Sequence, residues 1–239
     1  MLLIPGSPLS PASEHPLDNP IWHALRTGNQ ALTRGDESVL VFPRDVGAFA
    51  GLAEYTPANL GRLHELTPAG EVVILFTPAA IAPPAGWRVN LHRDLLQLVY
   101  PHAAAPVAPA DHLVALGEAD VPAMLALTAL TKPGPFLSRT IDFGGYYGVK
   151  HGGELVAMAG QRLQPSPYTE VSAVCTHPDY LGRGYAGQLV CYQLVRILAQ
   201  GRVPFLHLYE DNTPAYRLYL KLGFVRRGLL QVYVLEKLA

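Results

Sequence analysis

The chain has 239 residues, of which 49% are hydrophobic, and a formal net charge of −1. That apolar share supports a sizeable core, and the length fits one large domain or two modest ones. Balanced charge without a basic run argues against nucleic acid as the main partner, and no apolar run is long enough to span a bilayer.

Residues 1–20 carry five prolines and read as an extended arm. The apolar spacing of Ile21, Trp22, Leu25 and Leu32 predicts a helix over 21–32, and Val39–Phe42 reads as a short buried strand. Short helices are expected over 45–55 and 58–66, and a strand over 71–76. The run Leu91–Tyr100 is ambiguous between strand and helix. Pro101–Ala110 is rich in proline and alanine and almost uncharged, which marks a linker or domain edge. The boundary is expected near residue 105, separating residues 1–105 from residues 111–239. A helix over 120–131 follows, with Pro122 tolerated in its first turn. Two strands, 146–150 and 154–161, flank the hairpin signal His151-Gly152-Gly153.

The most informative stretch is Glu170–Ala199. Glu170–Thr176 is rich in β-branched residues and reads as a strand. Gly182-Arg183-Gly184 supplies a tight turn, and Ala186, Leu189, Val190, Leu194 and Ile197 then recur at helical spacing. Strand, glycine turn and helix together form an anion-binding arrangement. Glycines allow close backbone approach, and the helix start presents unpaired N–H groups with a partial positive charge. A strand over 205–209, a helix over 214–222 capped by Asn212 or Thr213, and strand material over 225–235 complete the chain. The order predicts an α/β fold with helices packed on a mixed sheet.

Gly182, Gly184 and Gly187 also spell the dinucleotide fingerprint. That fingerprint usually opens a parallel βαβ series, and too little chain follows here to build one. No Gly-Lys-Ser/Thr loop is present, no serine sits in a nucleophile elbow, and the histidines and acids show no metal-ligand spacing.

Two segments together resemble the GCN5-related N-acetyltransferases, and within them the FR47-like branch. Leu181-Gly182-Arg183-Gly184-Tyr185-Ala186 is similar to the family's phosphate motif, departing at Leu181, where the family has a polar residue. Asn212, Ala215, Tyr219, Gly223 and Phe224 match its downstream segment. The resemblance covers residues 111–239. It implies a mixed central sheet with splayed strands and acetyl-CoA as co-substrate, without a metal. It further implies a primary amine acceptor, on a small molecule or a peptide. Residues 1–105 carry no catalytic motif; they read as a smaller α/β domain, with a degenerate copy of the same fold as the alternative.

The resemblance implies that Val174, Cys175 and Thr176 pair with the pantetheine arm. It places the pyrophosphate on Gly182, Arg183, Gly184, Tyr185, Ala186 and Gly187, and has Asn212 both hydrogen-bond the pantetheine arm and cap the following helix. Glu170 is the candidate general base, since an ammonium must lose a proton before it attacks a thioester. By strict alternation Glu170 and Ser172 would share a face with Val174 and Thr176. Tyr219 is the candidate acid for the leaving thiolate. Tyr146 and Tyr147 are candidate walls of the substrate cleft. His177 reads as a surface imidazole and His207 as a satisfied core histidine. Cys175 and Cys191 read as buried hydrophobes rather than a disulfide, which suits a reducing, cytoplasmic location. A homodimer stays open. The competing readings are an acyl-CoA-binding module without chemistry, and transfer of another acyl group or to oxygen.

Overall fold

The computed structural model describes residues 15–107 and 110–239. The expected N-terminal arm lies largely outside them. Its last residues are not extended: Leu17 is fully buried, and Pro20 opens the first helix.

That helix, α1, spans Pro20–Arg26. It is shorter than its apolar spacing suggests, because Gly28 leaves the helix to donate its N–H to the Gln164 carbonyl at 3.1 Å. A 3-10 turn at Gln30–Leu32 takes the rest. A small antiparallel sheet follows: β1 (Arg34–Gly35), β2 (Val39–Val41) and β3 (Ala50–Leu52). The helix expected over 45–55 is therefore a turn and a strand. Gly51 decides this: a Cβ there would lie 2.5 Å from the Trp22 backbone nitrogen, so the strand is pressed flat against α1. α2 (Pro57–Leu66) starts where the Thr56 hydroxyl accepts from the Asn59 N–H. β4 (Val72–Thr77) and β5 (Trp87–Val99) end the first half.

The second half contributes β6 (Leu113–Ala115), α3 (Val121–Thr131), β7 (Tyr147–His151), β8 (Glu154–Gln161) and β9 (Tyr168–Thr176). It continues with α4 (Tyr185–Ala199), β10 (Val203–Tyr209), α5 (Thr213–Lys221) and β11 (Val225–Lys237). The turn between β7 and β8 holds Gly152 and Gly153 at φ +59° and +90°, the doubly positive geometry that matches strand twist in a two-residue hairpin.

Eight strands form one mixed sheet in the order β4-β11-β5-β10-β9-β8-β7-β6. The two segments expected as separate domains on either side of residue 105 share this sheet. β5 runs between β10 and β11, antiparallel to both. Its ambiguity in the sequence has a physical cause. Leu95 packs into the cluster on one face with Phe49, Phe76 and Val232, and Leu96 and Leu98 into the cluster on the other face with Val190, Leu194 and Tyr219. A strand buried on both faces loses the polar–apolar alternation that identifies a half-buried one.

Candidate active site

Two neighbouring strands part in the middle of the sheet. β9 and β10 run parallel, but they pair only from Val203–Tyr168 to Phe205–Glu170. Beyond that point Leu206–Tyr209 remain paired with β5, so β10 is held straight. β9 bends away, because Met158 faces Cys175 and Gly160 faces Ser172, leaving Ala159 opposite both Ala173 and Val174. This is a β-bulge, and within it Ala173 takes the left-handed conformation at φ +52°. The N–H and C=O groups of β9 that face β10 are therefore without strand partners past Glu170.

A cavity of about 330 Å³ opens at this parting and passes from one face of the sheet to the other. Val174, Tyr219 and Ala215 wall it on the α4–α5 face. Phe49, Ile74, Phe76 and Leu95, all from the first half of the chain, wall it on the opposite face. The segment Thr131–Pro135 after α3 closes one rim.

Among the expected co-substrate residues, Val174, Cys175, Thr176 and Asn212 line this cavity. The Thr176 hydroxyl is buried without a hydrogen-bond partner, and so is the Gln188 side-chain oxygen in the first turn of α4. Burial raises the Cys175 thiol to about 11, so it is an unreactive wall residue, and both cysteines are free. Gly182 and Gly184 hold φ of +77° and +80°, and Gly184 is the N-cap of α4 without a side-chain cap. Nothing lies within 4 Å of a Cβ built at Gly182. The N–H groups of Tyr185, Ala186 and Gly187 fall in the first helical turn, where no preceding carbonyl can take them. Arg183 lies over the Tyr180 ring at 4.6 Å beside this turn. The Asn212 side chain caps α5 by accepting from the Ala215 N–H at 3.3 Å.

Tyr219 projects from α5 into the cavity, 8% exposed, with its ring edge-on to Phe224. Burial raises its phenol to about 12, so it stays protonated near neutrality.

Three expectations change. Glu170 is fully buried and does not line the cavity. Arg162 donates to both of its oxygens, at 2.8 and 2.6 Å, and the Leu163 N–H and His207 Nδ1 donate at 3.2 and 2.7 Å. Burial alone would raise this carboxyl, but Arg162 and His207 outweigh it and hold it at about 2. A carboxylate so fixed is a poor base. The bulge also breaks the strand's alternation. Glu170 faces Arg162 and His207, whereas Val174 faces the α4 side with Val190 and Leu194. Tyr147 packs on α4, beneath Arg196 and against Tyr192, and is no cavity wall. Tyr146 is buried over Gly160, where a Cβ would meet its ring at 2.3 Å, and touches only a small recess beside the main cavity.

His207 is the satisfied core histidine its strand position suggests, and it also lines the cavity. The Gln97 amide nitrogen donates to Nε2 at 3.0 Å, since its oxygen accepts from Arg227 at 2.8 Å. Nδ1 therefore carries the proton donated to Glu170. Burial outweighs the pull of Glu170 and keeps this ring neutral. His177 accepts from the Asp179 N–H in a local surface turn.

Arg162 was missed by sequence reading. It lines the cavity with its guanidinium 4.8 Å from the Phe49 ring centre. Its partner Glu170 lies eight residues away across a hairpin, and no local pattern announces the pair. Among the described residues there is no cluster of three or more metal-ligating side chains. No helix among them is long and apolar enough to cross a membrane.

The FR47-like protein family model matches residues 146–234. The chain is 38% identical over 92 residues to the N-alpha-acetyltransferase RimI of Mycobacterium tuberculosis, a match spanning 37% of this chain and 56% of that protein. The solved structure of a protein assigned to the GNAT acetyltransferase family, from Novosphingobium aromaticivorans, is 38% identical. It superposes with a TM-score of 0.88 over 95% of this chain and 100% of that one. A GCN5-related N-acetyltransferase from Kribbella flavida, 16% identical, shares the fold, with a TM-score of 0.61 over 92% and 95% of the two chains.

Proposed function

Because the chain belongs to the GCN5-related N-acetyltransferase (GNAT) superfamily, in its FR47-like branch, and so to a family of acetyltransferases, we propose that it moves an acetyl group from acetyl-CoA to a primary amine in the cavity between β9 and β10. The observation that carries this reading is the unpaired edge of β9 opposite β10, with Tyr219 beside it.

The residues present fit acetyl-CoA. The open main-chain groups of Val174 and Thr176 suit the amides of a pantetheine arm, and the orphaned Thr176 hydroxyl lacks only a partner. The turn Gly182–Gly187 offers N–H groups and a helix dipole to a diphosphate, with Arg183 alongside. When bound, acetyl-CoA supplies an activated thioester carbonyl. As the N–C bond forms and the C–S bond breaks, the nitrogen loses one proton and the sulfur gains one. Tyr219, held protonated by burial, is placed to give that proton. Main-chain N–H groups of the bent β9 stabilise the carbonyl oxygen as it gains charge.

Among the described residues no carboxylate lines the cavity, and Glu170 is locked behind Arg162 and His207. The amine therefore enters in its neutral form. Burial near Arg162 and Lys132 disfavours an ammonium and so promotes this form. The rate then rises with pH through the amine's own titration.

Titration calorimetry with coenzyme A and a thiol-release assay over an amine panel test the proposal. Binding that weakens in Gly184→Ala, together with amine-dependent thiol release, is expected. Coenzyme A binding without turnover of any amine would leave a binding module instead, and no binding at all would remove the reading.

A further inference from the structure

We propose that the acceptor is a small apolar amino acid, recognised through its free carboxylate, an inference that rests on the acetyl-transfer reading. The cavity's far side, beyond β9 from α5, is hydrocarbon and aromatic: Phe49, Ile74, Phe76, Leu95, Val232 and Val234. Among the described residues its charged wall residues are Arg162 and Lys132, and none is acidic.

Arg162 is built to present one edge. Its Nε and Nη2 are bound to Glu170, while Nη1 has no hydrogen bond among the described residues. Phe49 and Phe76 lie against the guanidinium at 4.8 and 5.7 Å, so the group cannot swing aside. A guanidinium held by one carboxylate on its Nε side keeps its Nη1–Nη2 edge for a second, planar anion. Lys132 stands on the rim in the left-handed conformation, φ +50°, at the end of α3, and forms no ion pair among the described residues. Its left-handed backbone is that of a helix C-cap, with the Lys132 N–H donated to the Thr128 carbonyl at 2.8 Å.

The open Arg162 edge and the bulge line the same cavity, where one small molecule carrying an amine and a carboxylate would meet both. Arg162 is anchored at Glu170, three residues before Ala173 in the bulge on β9, about 10 Å along a strand from where transfer would occur. A carboxylate on the Arg162 edge leaves the amine at the bulge and the hydrocarbon side chain among Phe49, Phe76 and Leu95. A polyamine or an aminoglycoside would carry its remaining positive charges against a wall whose charged side chains, among the described residues, are both cations, an arrangement that disfavours binding. A peptide N-terminus would leave the open guanidinium edge without an anion.

The test uses the full chain with saturating acetyl-CoA and follows thiol release for L-phenylalanine, L-leucine, L-phenylalaninamide and spermidine. Expressed per concentration of neutral amine, the free acids are expected to exceed the amide in kcat/KM by about tenfold or more, the scale of one lost charge-assisted hydrogen bond at a buried site. Spermidine should be slower still. Lys132→Ala, which removes the rim cation and leaves the Arg162 edge in place, should narrow the acid-to-amide ratio without bringing it to one. An amide or spermidine turned over as well as the acids overturns the carboxylate assignment and leaves acetyl transfer standing. In a second arm, N-acetyl-L-phenylalanine and its amide are titrated into the chain with coenzyme A present. Binding of the acid alone supports the assignment even if no amine is turned over, and that combination removes acetyl transfer instead. Equal binding of both, or of neither, overturns the assignment.

Discussion

Glu170→Gln separates a structural carboxylate from a catalytic one. In the folded chain Glu170 titrates at about 2, against an ordinary 4.5. The depression is worth about 3 kcal/mol of stability through linkage. The folded value lies below the unfolded one, so this stabilisation is fully present above about pH 4.5 and is lost as pH falls towards 2. Glutamine removes the charge and leaves the Arg162 guanidinium buried against a neutral group, and a buried pair broken on one side costs about 3–5 kcal/mol. The two routes agree. At pH 7 the variant should lose about 3 kcal/mol, or roughly 6–12 °C in Tm for a chain of this size. Urea unfolding at pH 7 and at steps from pH 5 to pH 3 measures it, and the gap between native and variant should shrink down that acid limb. Equal stability at pH 7 would refute the reasoning. So would a variant of native stability whose kcat is low at pH 7 and recovers at high pH, which is how a lost general base behaves.

Tyr219→Phe should bind coenzyme A as the native chain does and lose about 100-fold or more in kcat, the lower range for a general acid; weakened binding at unchanged kcat would make the tyrosine a packing residue. With the phenol at about 12, the native rate should show no acid-loss limb below about pH 11. Ala173→Val forces a β-branched side chain into the left-handed bulge, so it should cost about 2 kcal/mol in thermal unfolding and weaken acetyl-CoA binding, whereas Ala173→Gly should do neither. Thr176→Val replaces a buried hydroxyl that lacks a partner, so the free chain should gain up to about 1 kcal/mol while coenzyme A affinity falls severalfold. A destabilised valine variant would mean that the hydroxyl is already satisfied.

What the sequence discloses here is what local chemistry determines. Gly182 and Gly184 are glycine because the chain turns through positive φ, and that need is written at their own positions. Asn212 and Pro214 announce α5 for the same reason: capping and a fixed φ act within one turn. The bulge at Ala173 is invisible, because alanine does not advertise a left-handed backbone, and one inserted residue reverses every face assigned beyond it. That inversion, with the pairing of Arg162 to Glu170 across a hairpin, turned a candidate base into a buried anchor. β5 was unreadable for another reason. Its identity depends on β10 and β11, strands more than 100 residues later in the chain, which cover it on both edges.

The insertion of β5 also explains how one chain divides its labour. β10 stays straight because β5 pairs with it along Leu95–Val99, and β9 can then leave without the sheet collapsing at the gap. The glycine turn, the open edge of β9 and Tyr219 all come from the second half, where the family motifs lie. Most of the hydrocarbon wall on the other face comes from the first half: Phe49 from the loop before β3, Ile74 and Phe76 from β4, and Leu95 from β5. These residues are ordinary core residues by type, and no motif marks them. The donor side is constrained by one fixed ligand chemistry and so leaves a recognisable pattern. The acceptor side needs only a shape and a charge, which many sequences can supply. On this reading the half of the chain without a motif supplies most of the hydrocarbon surface for the acceptor, whereas the cations that would hold its carboxylate, Arg162 and Lys132, come from the half that carries the motifs.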